Sequence, residues 1–180
     1  MMVNQNFASA FIELSREKLK KNLLPKLTHC LSLLPEEEIW HRSNENVNSV
    51  GNIVLNLCGN VRQWIVSGIG GREDIRRRPE EFRRDLFIQK EELLSRIETV
   101  VEEADWVLSR FDPNQLGEKK TIQGFEVSCL SAIYHVVEHF SHHAGQVIHI
   151  TKSVLNVDLG LTHLTPQGYN PKSNSITQSL

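Results

Sequence analysis

The chain has 180 residues, with 20 lysines and arginines against 22 aspartates and glutamates, giving a net charge of −2 with histidine neutral. That balance argues against a general nucleic-acid binder, which needs a basic face to displace counterions from phosphates, and the length fits one domain or two very small ones. Hydrophobic residues at 39% and charged residues at 23% suit a folded core rather than a disordered chain.

In chain order, Phe7, Ala10, Phe11, Leu14, Leu23, Leu24, Leu27, Leu31 and Leu34 recur at steps of three and four, which predicts a first amphipathic helix kinked at Pro25. Pro35 followed by Glu36, Glu37 and Glu38 predicts a short helical turn with proline at its first position and carboxylates near its positive end. The polar run from Ser43 to Ser49 reads as a loop. A second helix starts at about Val47, carries Val50, Ile53, Val54, Leu57, Cys58, Val61, Trp64 and Ile65 on one face, and stops at Gly68, Gly70 and Gly71. Arg72 to Arg84 is charged and contains Pro79. It reads as an exposed crossover in which Arg76, Arg77 and Arg78 are solvated and paired with Glu80 and Glu81.

A third helix follows on Leu93, Leu94, Ile97, Val100, Val101, Ala104, Val107, Leu108 and Phe111, ended by Asp112-Pro113-Asn114. The next loop contains Gly117 and Gly124, with room for a short extended piece from Thr121 to Phe125. The fourth helix is expected from about Glu126 to Leu155. With no convincing strand pattern, residues 1–160 predict an all-α domain, an antiparallel bundle of four helices. Residues 161–180 predict a polar tail, extended, disordered or laid against a neighbour.

No stretch approaches the ~20 apolar residues of a membrane helix. The first residues lack the basic and apolar regions of a secretory signal, and Cys30, Cys58 and Cys129 form no Cys-x-x-Cys pair. The expectation is a cytoplasmic protein whose cysteines are packing residues.

Five of the eight histidines, His135, His139, His142, His143 and His149, fall in the fourth helix. At about 100° per residue, His142 and His149 point to the presumptive solvent face, while His139 and His143 lie at the edge of the apolar arc, with Gln146 beside them. Two imidazoles one turn apart can share one divalent ion if another helix supplies a third ligand. A solvated histidine face is the plainer alternative. The second helix offers an amide stripe of Asn52, Asn56, Asn60 and Gln63, a better lining for a polar pocket than for a tight metal site. His135-Val-Val-Glu138-His139 matches H-x-x-E-H of inverted zinc peptidases, but Asp158 is the only carboxylate side chain downstream to serve as the later ligand. A di-iron bundle needs two Glu-x-x-His units, and Glu138 is followed at that spacing by Ser141.

The segments from Gly51 to Ile65 and from Tyr134 to Ile148 resemble the two signature helices of the DinB/YfiT-like superfamily, and the similarity extends through about Leu161, including the turn Glu38-Ile-Trp40 and the segment Arg78-Pro-Glu-Glu-Phe82. The resemblance implies a four-helix bundle of up-down-down-up order, a homodimer, and a divalent metal, zinc or nickel, held by one histidine on the second helix and an H-x-x-x-H pair on the fourth. The pair maps onto His139 and His143. The remaining histidine maps onto Asn56, where Leu55-Asn-Leu-Cys-Gly-Asn60 departs from the family's Leu-His-Leu-x-Gly-Asn, leaving an amide as a degenerate third ligand.

Relatives of this kind include transferases that use low-molecular-weight thiols, an isomerase and a hydrolase. The implied function is therefore a metal-dependent thiol S-transferase or small-molecule hydrolase, with Asn60, Arg62 and Gln146 as substrate contacts and a thiol cosubstrate for the transferase. The alternative is a non-catalytic dimeric bundle with a degenerate metal site, acting in ligand binding or assembly.

Overall fold

Apolar residues three and four apart build four long helical rods in this computed structural model, which describes residues 2–161. The polar tail expected over residues 161–180 lies outside the described residues, apart from Leu161. The first rod joins α1 (Met2–Glu17) to α2 (Leu24–Leu33) through a π turn, Lys18–Leu23. Pro25 has no N–H to give the preceding turn, and the turn before it is widened, with the Leu24 N–H reaching back five residues to Leu19. The short α3 (Glu36–Trp40) follows, with Pro35 as its N-cap, one position earlier than expected, and three glutamates in its first turn.

The second rod is α4 (Val50–Val61), capped by the Ser49 hydroxyl accepting from the Asn52 N–H, and it runs into a second π turn, Arg62–Ile69. The crossover carries a 3-10 turn, Arg78–Phe82, and leads to α5 (Lys90–Ser109). The expectation of a wholly exposed crossover fails at two positions: Glu81 is buried and the Arg76 side chain is only 4% exposed. Their mutual ion pair makes that burial tolerable.

Where one short extended piece was expected over Thr121 to Phe125, β1 (Lys119–Ile122) and β2 (Phe125–Ser128) form an antiparallel hairpin. Gln123 and Gly124 turn it, both with positive φ, 52° and 81°. Because the hairpin uses residues 125–128, α6 starts at Cys129 rather than near Glu126 and runs to Leu155. Ser128 caps its start, and Asn156 in the left-handed conformation ends it.

Leu27, Leu31, Leu57, Ile65, Leu93, Ile97, Ile133 and Phe140 are among the fully buried side chains that weld the rods into one core. Each such burial contributes about 1.5–3 kcal/mol. Tyr134 on α6 is exposed. α4 packs against α5 on one side and α6 on the other, so its polar stripe meets both α6 and the crossover. Among the described residues, no helix is long and apolar enough to cross a membrane.

Candidate functional site

On α6, His142 and His149 are exposed, while His135, His139 and His143 are half-buried along one edge. The His139 and His143 rings meet edge to face with centroids 4.5 Å apart, and His135 follows 5.6 Å from His139. His143 Nδ1 donates to Gln146 Oε1 at 2.7 Å, and the Gln146 amide reaches on to His142 at 3.4 Å. Burial, with His143, His135 and the charge of Arg76 acting in the same sense, pushes the His139 imidazole down to about 3. Burial also lowers His135 and His143. All three rings are therefore neutral at physiological pH.

The amide stripe of α4 divides among different partners. Only Asn60 meets a histidine: its amide donates to His135 Nε2 at 3.1 Å, on a ring stacked 4.3 Å from Trp64. Asn52 donates to the carbonyls of Glu81 and Arg83 and accepts from Arg42. Asn56 donates to Glu81 Oε2 at 3.0 Å. Arg76 grips the same carboxylate with two bonds, Nε to Oε1 at 2.7 Å and Nη2 to Oε2 at 2.8 Å, and its Nη1 donates to Gln63 Oε1 at 2.9 Å. Gln63 in turn donates to Asp74 at 2.7 Å and accepts from Gln123 of the hairpin.

This clamp lies against α4 at Gly59, where a Cβ would come within 2.7 Å of Arg76 Nε and 2.9 Å of the Glu81 carboxyl carbon. The sequence paired Arg76 and Glu81 on a solvated crossover and did not show that they are buried together. The available signals were a glycine inside an apolar helix and the Pro79 turn that folds Glu81 inward.

The donor set does not fit a resident divalent metal. The α4 position matched to a ligand is an amide, whose oxygen is a weaker donor than an imidazole; its nitrogen bonds Glu81, and both oxygens of Glu81 are engaged by Arg76. Among the described residues, no group of three or more His, Cys, Asp or Glu side chains is arranged to hold an ion. His139 also lacks the carboxylate or carbonyl partner that usually orients a metal-bound imidazole: its Nδ1 is buried without a hydrogen-bond partner. Asn60 Oδ1 and Trp64 Nε1, both around His135, are further buried atoms without partners.

On the far side of the clamp, a cleft of about 860 Å³ opens between α4, α5 and the crossover. Leu55, Ile75, Leu86, Ile88 and Val100 supply its apolar wall, and Arg62 and Arg96 stand at it. Arg62 is engaged with Glu103 at 2.6 Å and Arg96 with Glu92 at 2.5 Å. Cys58 also lines the cleft; burial pushes its thiol up to about 12, so it is no thiolate nucleophile. Burial likewise raises Cys30 and Cys129. Of the sequence-derived substrate contacts, Arg62 reaches the cleft, Asn60 lies in the α4–α6 seam, and Gln146 is exposed beside His143.

Two solved structures share the fold. A conserved protein from Enterococcus faecalis superposes with a TM-score of 0.65 at 15% identity, covering 81% of this chain and 97% of that one. A DinB-like protein from Bacillus cereus superposes with a TM-score of 0.60 at 14% identity, covering 82% and 91%. Comparison with curated proteins finds no match. The sequence itself matches the family described as "Protein of unknown function (DUF1572)" over residues 6–166. The chain belongs to the DUF1572 family and has a DinB-like, all-α fold.

Proposed function

We propose that this chain is a DinB-like bundle that binds a small molecule without a resident metal, the cleft beside the Arg76–Glu81 clamp being its binding site. The observation that carries this reading is the bond from Asn56 to Glu81, which commits the α4 side of the site to an ion pair of the protein itself. The cleft wall favours a ligand with an apolar body. Metal-activated thiol transfer has little support in the donor set, and Cys58 offers no nucleophile in its place. We include a homodimer in the proposal, with exposed Phe7 and Leu14 on α1 as the apolar surface available for it.

The test is equilibrium dialysis of untagged protein against zinc and nickel, followed by elemental analysis. The expected result is less than about a tenth of an equivalent retained, a level far below the occupancy of structural or catalytic sites. One equivalent retained by the wild type and lost in a His139→Ala/His143→Ala variant would overturn the proposal. For the ligand, Thr99→Trp places an indole at the cleft and should abolish chemical-shift changes that small apolar compounds cause at Leu55 and Val100.

A further inference from the structure

The wall of the cleft suits an apolar body, and the charged side chains around it point to what the other end of the ligand carries. We propose that the ligand is a monoanionic amphiphile, an apolar carboxylic acid, whose carboxylate is bound by Arg96 with the Thr99 hydroxyl beside it. This inference rests on the reading above, that the cleft is a small-molecule site.

The charges of the lining carry it. Four arginines, Arg62, Arg76, Arg77 and Arg96, stand against two glutamates, Glu80 and Glu81. Arg76 and Glu81 neutralise one another as a buried pair, and Arg77 lies 3.5 Å from Glu80. Arg62 is held from outside the lining by Glu103 at 2.6 Å, on a carboxylate it shares with Arg72. Arg96 differs from all three. Its partner, Glu92, stands one turn back on the same helix and outside the cleft, and both side chains are about half exposed, 47% and 54%. The Arg96 Nε and Nη2 both donate to a single oxygen of that carboxylate, and Nη1 has no partner among the described residues. An exposed pair within one helical turn is weak, so this guanidinium can turn to another carboxylate at little cost.

Thr99, three residues further along α5, lines the same cleft, and its hydroxyl has no hydrogen-bond partner among the described residues. The planar fork of Arg96 matches the two oxygens of a carboxylate, while Leu55, Ile88 and Val100 line the space for the chain behind it. Cys58 belongs with the apolar lining, because burial keeps its thiol protonated. A doubly charged head would be repelled by Glu80 and Glu81, and a cationic one would find both of those carboxylates already facing Arg77 and Arg76.

The test is titration of untagged protein with octanoate, octan-1-ol, octylammonium and octyl phosphate, at about pH 8 so that the phosphate is doubly charged, read by chemical shifts at Leu55 and Val100. The expected result is that octanoate binds best, at least about tenfold more tightly than the alcohol, with octylammonium weakest. Arg96→Gln, an exposed substitution on a helix, should lower the octanoate affinity about tenfold and leave that of octan-1-ol within about twofold. Arg96→Lys, which keeps the charge and loses the fork, should fall between wild type and Arg96→Gln. Thr99→Val should lower octanoate affinity about threefold.

Equal binding of octanoate and octan-1-ol, or an octanoate affinity unmoved by Arg96→Gln, would overturn the inference and leave the cleft reading in place. Tighter binding of octyl phosphate or of octylammonium than of octanoate would likewise overturn the monoanionic head. No shift at Leu55 or Val100 with any of the four compounds would overturn the cleft reading and this inference with it.

Discussion

The molecule holds two ion-paired knots that use the same chemistry in opposite surroundings. Between α1 and α5, Arg16 bonds Asp105 at 2.8 Å while the intervening turn's Lys20 bonds Asp105 at 3.1 Å and Glu102 at 2.7 Å. The side chains there keep between 16% and 60% of their surface in water. Under the crossover, Arg76 and Glu81 keep 4% and 10%, and their remaining partners are amides of the protein. The outer knot can exchange its partners for water at little cost. The inner one cannot do so as cheaply, because both charges are almost wholly buried. The same chemistry is thus a surface latch in one place and a fixed feature of the candidate site in the other.

Removing one partner from each knot separates them most sharply. Glu81→Ala strands a buried guanidinium and is expected to cost about 3–5 kcal/mol, whereas Asp105→Ala should cost about 1 kcal/mol or less, both read by urea unfolding. Equal losses would break the comparison. Next in size is Gly59→Ala, whose methyl group would push into the clamp and should cost about 1–3 kcal/mol. The control is Gly145→Ala on α6, where nothing lies within 4 Å of the added carbon. That substitution should stabilise by about 0.5–1 kcal/mol.

Acid separates the two regions by pH window. His139 titrates near 3 in the fold and near its ordinary 6.5 when unfolded, so between those values the unfolded chain holds the extra proton. Its contribution is intact above about pH 6.5 and is lost as the pH falls toward 3, with a slope of about 1 kcal/mol per pH unit. His135 and His143 are lowered as well and add to the loss. His139→Gln should flatten this slope in unfolding curves taken from pH 7 to pH 5. Asp105 behaves differently: burial raises it, but its bonds to Arg16 and Lys20 hold it below its usual 3.8. Its contribution is complete above that value, so the outer knot should be silent in the same experiment.

Periodicity reveals the rods because burial of an apolar stripe repeats with the helix and leaves a one-dimensional trace. Leu93, Ile97, Val100, Ala104 and Val107 illustrate it, and all are buried as their spacing predicts. The hairpin leaves a weaker trace, since its strands are four residues each and mostly polar, with Gln123-Gly124 as the only strong turn signal. The half-buried histidine edge follows from the helical wheel. The clamp does not, because which of Arg72, Arg76, Arg77 and Arg78 turns inward depends on where Pro79 and the 3-10 turn bring Glu81 relative to Gly59. Spacing along one helix shows which side chains share a face, but it carries no information about what a crossover lays upon that face.

The account centres on the clamp, and the most direct measurement is the Arg76 Nε–Hε resonance of uniformly ¹⁵N-labelled protein, recorded with and without one equivalent of zinc. The account predicts a discrete, slowly exchanging signal that zinc leaves in place and that Glu81→Gln shifts. A signal lost to rapid exchange with water, or one that moves together with the Asn56 amide as zinc binds, would contradict it.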